Sequence, residues 1–273
     1  MAKHQTGWTE EKIQRYYKEG RGQGELSNYT PWLTIQDVPS GGRAHRVKGW
    51  TTSRTHHLLS DLEYNYFCLL DWADEVIDIR EQFPLPRDVT LPIAEEKNIK
   101  HPIDPATQTP IVMTTDFLIT VRKEKEIIYF ARTVKENKEL NSSRVIEKFE
   151  IEREYWAKQG VDWGIVTEKE LPKDAINNIK WIHSAYYLPE DLDTKSLHLL
   201  YDALSQNNMP ILHLLKEFDE TFKLANGSAL SMFKYMLAHK IIKTTITKKI
   251  DLMSNTTILE FSPNFITEKR WAT

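Results

Sequence analysis

Asp116 interrupts an otherwise apolar, β-branched run, Ile111–Val121 (IVMTTDFLITV), and Lys135 directly follows a second run, Ile127–Val134 (IIYFARTV). The wholly charged stretch between them, Arg122–Glu126, reads as a solvent-facing turn. Side chains alternate along a strand, so Ala131, Thr133 and Lys135 share one face of the second strand. In a hairpin, a mid-strand carboxylate and a lysine at the end of the neighbouring strand meet on one face. That combination suits metal-dependent phosphodiester hydrolysis, which needs charge neutralised around phosphorus, a water made nucleophilic and an oxyanion leaving group stabilised. Mg2+ prefers hard oxygen ligands and keeps several waters, so one or two carboxylates and a backbone carbonyl suffice. Asp116 supplies a carboxylate and Val134 the carbonyl. Lys135 is placed to hold or deprotonate a water, or to neutralise the phosphorane. In-line attack would leave a 3′-hydroxyl and a 5′-phosphate. The ordinary alternative is a solvated strand-end pair.

Two helices offer further acids. His57–Trp72 carries Leu59, Leu62, Tyr66, Leu69, Leu70 and Ala73 as an apolar stripe at helical spacing, with Glu63 one position off it. An acid at that edge is costly unless paired, capping or bound to a cation. Glu63 is therefore either a metal ligand or the third position of a capping box, Ser60-x-x-Glu63, although the apolar period already begins at Leu58. A second helix opens at Ser142 or Ser143 and ends at Gly160. Val145, Phe149, Glu152 and Trp156 form its inward stripe. Glu152 there is either a supporting acid or second-metal ligand, or, as the favoured reading, an edge acid paired with Arg153 or Lys148.

The elements that must position these groups run in order. Residues 8–19 read as an amphipathic helix capped by Thr9, and WLTIQDV as a short extended piece in a loop punctuated by Pro and Gly. Arg43, Arg46, Lys48 and Arg54 are interleaved with His45, Trp50, His56 and His57, which suits a phosphate backbone or, equally, a solvated hairpin. Val76–Phe83 reads as a strand closed by Pro84, Ile93–Asn98 as a short helix, and Val161–Thr167 as a buried strand. Helix, strand, hairpin, helix, strand implies an α/β domain over residues 1–167, with a mixed sheet flanked by helices. Residues 168–273 turn helical: Pro172–His183, Glu190–Gln206, Ile211–Leu224 behind Pro210, and Ala229–His239 capped by Ser228. The alternating segments IIKTTI and TILEF follow, so the order helix, turn, helix, hairpin predicts a winged-helix pattern suited to docking protein or DNA.

Composition bounds the classes. The chain has 273 residues, 40% hydrophobic and 27% charged, with a mean hydropathy of −0.51. That is long enough for one large or two modest domains. No apolar run reaches the roughly 20 residues of a membrane span, and the start MAKHQTGW does not read as a signal peptide. A single cysteine, Cys68, excludes a disulfide framework and fits a reducing, cytoplasmic setting. Net charge is −3, yet residues 1–60 hold nine Lys or Arg against five Asp or Glu. A basic head on an acidic body points to a polyanionic partner at one end.

Acid on a helix, acid on a strand and then x-x-Lys on the next strand resembles the restriction-endonuclease-like PD-(D/E)xK nucleases. HHLLSDLE around Glu63, DIREQFPL at 78–85, TDFL at 115–118, VK at 134–135 and EKFEIEREYW at 147–156 resemble the TnsA family, the endonuclease subunits of heteromeric transposases of Tn-seven-like elements. The resemblance covers most of the chain. It implies Glu63, Asp116 and Lys135 as catalytic residues, Mg2+ (with Mn2+ as a substitute) as cofactor, and double-stranded DNA at transposon ends as substrate. It also implies cleavage at the 5′ ends, with TnsB cutting and joining the 3′ ends and the ATPase TnsC contacting the C-terminal domain. The family often has Gln or Glu two residues before the lysine. Here Thr133 stands there, and a hydroxyl can reach a metal directly or through water. Two other classes remain: a stand-alone restriction or repair nuclease, and a catalytically silent DNA-binding assembly subunit.

Overall fold

The computed structural model describes residues 7–38, 42–190 and 192–263. The chain divides into two compact units, the first ending at Leu171 and the second beginning at Pro172.

The first unit is built on a four-stranded mixed sheet. β3 (Val76–Leu85), β4 (Met113–Lys123) and β5 (Glu126–Val134) are antiparallel, and β6 (Asp162–Val166) lies parallel to β5. A parallel neighbour requires a crossover, and α4 (Ser143–Lys158) provides it. On one face, Leu118 and Ala131 pack against Ile151, Tyr155 and Trp156 of α4 and against Ile93 and Ala94 of α3 (Arg87–Glu96). On the other, Phe117 takes an edge contact from Tyr66 of α2 (Asp61–Trp72), ring centroids 5.6 Å apart. The expected helix-flanked mixed sheet is present.

Several boundaries move, each for a local reason. β3 runs through Pro84, because an edge strand can spare an amide donor. α3 starts directly after Pro86 and carries Pro92 inside, so that proline is not punctuation. WLTIQDV forms no strand. Asp37 instead accepts hydrogen bonds from the Thr34 amide and hydroxyl and closes a turn, with the Tyr16 hydroxyl and Arg21 completing its shell. Tyr16 belongs to α1 (Glu10–Lys18), capped by Thr9 as expected, and packs with Ile13, Trp32 and Val112. Residues 39–41 of the same loop lie outside the described residues.

The basic segment folds as a hairpin, β1 (His45–Lys48) with β2 (Thr55–Leu58). β2 claims Leu58, so α2 starts only at Asp61. Glu81 of β3 is fully buried beneath this hairpin. Arg54 donates to both of its carboxylate oxygens, at 2.8 and 2.5 Å, and to the Ile79 and Leu26 carbonyls. His56 Nδ1 lies 2.8 Å from the same carboxylate. Burial alone would raise the Glu81 carboxyl; His56 and Arg54 hold it well below the usual range. Burial likewise opposes, and the Thr34 and Tyr16 hydroxyls, the Thr34 amide and Arg21 outweigh it, leaving Asp37 at about 2.

Among the described residues the second unit has four α-helices: α5 (Lys173–His183), α6 (Thr194–Gln206), α7 (Ile211–Thr221) and α8 (Ser228–Ala238). Gly227, at φ +92°, rather than Ser228, is the N-cap of α8. Asp219 on α7 accepts the Gly227 and Ala229 amides, at 2.7 and 2.8 Å. The expected hairpin is reduced to two residues a side, β7 (Ile242–Lys243) and β8 (Glu260–Phe261). The Asn178 amide fixes the intervening segment through the Ile246 and Lys248 carbonyls and the Ile250 amide.

Removing one partner of a buried ion pair strands the other. Arg54→Met is expected to cost about 3–5 kcal/mol in urea unfolding, whereas Arg46→Met, on the exposed face of β1, should stay within about 0.5 kcal/mol. Equal effects would contradict the assignment of Arg54 to the core. Glu81 and Asp37 both have folded pKa values below their unfolded ones. Their stabilisation is therefore complete above the unfolded carboxylate range and lost as pH falls from that range through their lower folded values. Asp37→Asn should flatten the acid limb of the stability–pH curve between about pH 4 and 2, and an unchanged limb would refute the assignment.

Candidate active site

Glu63 enters from the first turn of α2. Ser60 is the N-cap, its hydroxyl oxygen accepting the Glu63 amide at 3.0 Å. The Glu63 carboxylate returns two bonds, accepting the Leu59 amide at 2.9 Å and the Ser60 hydroxyl at 3.1 Å. Capping therefore holds, although the early apolar period argued against it: Leu58 belongs to the hairpin, not to the helix. The buried stripe of α2 is Glu63, Phe67, Cys68, Leu70 and Asp71. Tyr66 and Leu69 are only partly covered. The helix is rotated about one position from the expected stripe, and this brings Glu63 inside while it caps.

Asp116 comes from β4 at a place where the sheet departs from simple alternation. Glu81 and Phe117 are paired and face the hairpin and α2, whereas Phe83 and Thr115, also paired, face α4. Two residues apart on a regular strand, these side chains would share a face. Between them Gln82 adopts φ +49°, a left-handed conformation that is uncommon outside glycine. The Gln82 side chain donates to Asp116 at 3.2 Å and accepts the Thr114 hydroxyl at 3.0 Å, while the Val134 amide donates to the other Asp116 oxygen at 2.7 Å.

Glu63, Asp116, Thr133, Val134, Lys135 and Glu152 all line one cavity of about 530 Å³. Burial, then the Asp116 charge, push the Glu63 carboxyl up to about 8. Burial also raises Asp116, against the pull of the Val134 amide. The Lys135 ammonium sits 2.9 Å from Glu139, in the short 3-10 helix Asn137–Asn141 that follows β5.

Three expectations are corrected here. Glu152 is not an edge acid: one oxygen accepts the Thr115 hydroxyl at 2.7 Å and also the Thr133 hydroxyl, and burial pushes its carboxyl up to about 7. Arg153 turns instead to Glu150 and Glu154. Thr133, expected as a metal ligand, commits its hydroxyl proton to Glu152 and accepts from Trp163 at 3.3 Å. It holds Glu152 in place. Of the residues expected on the DNA surface, Arg43, Arg46 and Lys48 are exposed, whereas Arg54 and His56 are enclosed around Glu81 and are removed from that surface. Gln82, Thr115 and Glu139 were not anticipated. Polar residues on apparently regular strands, or within a charged loop, carry no periodic signal.

Among the described residues, no three His, Cys, Asp or Glu side chains form a metal-binding group. Two carboxylates on one cavity, the charge of Asp116 favouring protonation of Glu63, nonetheless make a hard-oxygen donor set that fits a divalent cation completed by carbonyl and water. No helix among the described residues is long and apolar enough to cross a membrane.

Comparison with known proteins places the chain in a family. A family model described as TnsA-like endonuclease N terminal matches residues 73–168, and one described as TnsA endonuclease C terminal matches residues 170–246. Asp116, Thr133, Lys135 and Glu152 fall within the first range, with Glu63 upstream of it. The chain is 40% identical over 255 residues to the transposon Tn7 transposition protein TnsA of Escherichia coli, an alignment covering 91% of this chain and 90% of the relative. The chain belongs to the TnsA endonuclease family, whose members cut DNA phosphodiester bonds in transposition.

Proposed function

We propose that the chain hydrolyses the phosphodiester at the 5′ ends of a transposon, with Glu63, Asp116 and Lys135 as its catalytic residues. The observation that carries this reading is the pair of carboxylates from α2 and β4 facing one cavity that Lys135 also lines. Asp116, Glu63 and the Val134 carbonyl would hold Mg2+, for which Mn2+ can substitute. When bound, the ion supplies charge neutralisation at the phosphate and acidifies a water.

The chain's own residues do the rest. Ser60 and the Leu59 amide fix the rotamer of Glu63, and Gln82 and the Val134 amide fix Asp116, so both oxygens are aimed before substrate arrives. Glu152, held by Thr115 and Thr133, lines the same cavity beside the pair. Lys135, from the end of β5, orients the attacking water or meets the charge developing on phosphorus. In-line attack breaks the P–O3′ bond, giving a 3′-hydroxyl and a 5′-phosphate. The exposed Arg43, Arg46 and Lys48 bind the DNA backbone beside the cut. TnsB and TnsC would be the protein partners, TnsB handling the 3′ ends and TnsC engaging the second unit.

Asp116→Ala is expected to abolish 5′-end cleavage while leaving 3′-end joining intact, so that a cut-and-paste reaction gives replicative cointegrates. Strand-resolved gels of the reconstituted reaction decide it, and unchanged simple insertions would overturn the assignment. Each phosphate contact contributes about 0.9 to the dependence of log K on log salt. Reversing the charge of Arg43, Arg46 and Lys48 together should lower that slope by roughly two to three. An unaltered slope would remove the segment from the DNA surface.

A further inference from the structure

Three cations line the cavity: Arg43, Lys135 and Lys148. Lys135 is paired with Glu139 at 2.9 Å. Lys148, on α4, is differently placed. Its i+4 neighbour is Glu152, the usual partner for a helical lysine, but that carboxylate is turned inward to the Thr115 and Thr133 hydroxyls. Arg144, one turn earlier, is occupied by Glu147 at 2.7 Å. Among the described residues no carboxylate lies within ion-pair distance of the Lys148 ammonium. Lys148 is exposed at the cavity wall. The desolvation it does undergo, then the like charges of Arg144 and Lys135, disfavour its protonation, and no acid offsets them. A lysine beside two other cations and without a counter-ion, on the wall of a cavity that otherwise bears six carboxylates, is an anion site waiting for an anion.

The cavity's acids exclude a free carboxylate ligand on charge grounds, and small inorganic anions would meet the same repulsion. A DNA phosphate differs, because contacts along the rest of the strand bring it in. Resting on the nuclease reading above, we propose that Lys148 binds a non-bridging oxygen of a DNA phosphate neighbouring the scissile one, and so sets the register of the strand against Asp116. Lys148 is then a positioning residue. It draws the backbone past the acids while Lys135 stays with the reacting phosphate.

The test uses the full chain in the reconstituted transposition reaction on end-containing DNA. Variants are Lys148→Met, which keeps the length of the stem without its charge, and Lys148→Arg, which keeps the charge. Lys148→Met should slow 5′-strand cleavage roughly tenfold, mainly through substrate affinity, and lower the salt slope by about 0.9. Lys148→Arg should restore most of both. Single methylphosphonates placed in turn at the phosphates flanking the cut provide the readout a structural role would not move. One position should slow the wild-type chain but not Lys148→Met further. An unchanged slope, or losses that multiply at every position, would overturn the proposal. The two readings fail separately: persistent cleavage by Asp116→Ala refutes the nuclease assignment, whereas a dead Asp116→Ala with an indifferent Lys148→Met refutes only the phosphate contact.

Discussion

Burying a carboxylate is costly unless something compensates its charge, and the first unit buries several in two different ways. Glu81 has cations: Arg54 grips both of its oxygens and His56 stands beside it, so it is held ionised. Among the described residues the hydrogen-bond donors to Glu63, Asp116 and Glu152 are neutral hydroxyls, backbone amides and one side-chain amide, and the charge of Lys135 only partly offsets the burial of Asp116. Those donors fix direction without cancelling charge, and the carboxyls are pushed up instead of down. One device makes a structural rivet, the other a site that gains from a positive visitor. The contrast separates the two acid clusters on physical grounds alone, although both sit against the same strand pair.

What the chain discloses by itself follows the range of the forces involved. Elements set by local periodicity and punctuation, such as the β4–β5 hairpin, α1 behind Thr9 and α4 ending at Gly160, lie close to where the spacing puts them. That Glu63, Asp116 and Lys135 would line one cavity was legible because residue type and element type pointed the same way. Helix rotation was not. Leu58 fits the helical stripe of α2 as well as it fits β2, and only pairing with His45 decides between them. Once the hairpin takes Leu58, the start of α2 shifts and Glu63 turns inward.

The misplaced residues share a cause. Arg54 and His56 look like a surface pair because long polar side chains near basic neighbours usually are. Their burial depends on Glu81, more than twenty residues away in a segment with no acidic signature beyond alternation. Glu152 was assigned to Lys148 or Arg153 by helical spacing, yet two threonine hydroxyls from different strands outcompete both. In the second unit, Ser228 had the right chemistry for a cap, but Asp219 reaches the helix terminus from the preceding helix and Gly227 supplies the φ of +92°. Long-range partners override local preference at each of these positions.

Gln82 joins the two acid systems through the backbone of one strand. Its predecessor is riveted beneath the β1–β2 hairpin, and its own side chain steadies Asp116. Adjacent backbone units on an edge strand thus anchor a surface ribbon and a reactive group, with one left-handed residue as the pivot. No loop separates the residue that holds the ribbon from the one that steadies Asp116. Loosening the ribbon from Glu81 would therefore disturb the backbone from which Gln82 reaches Asp116.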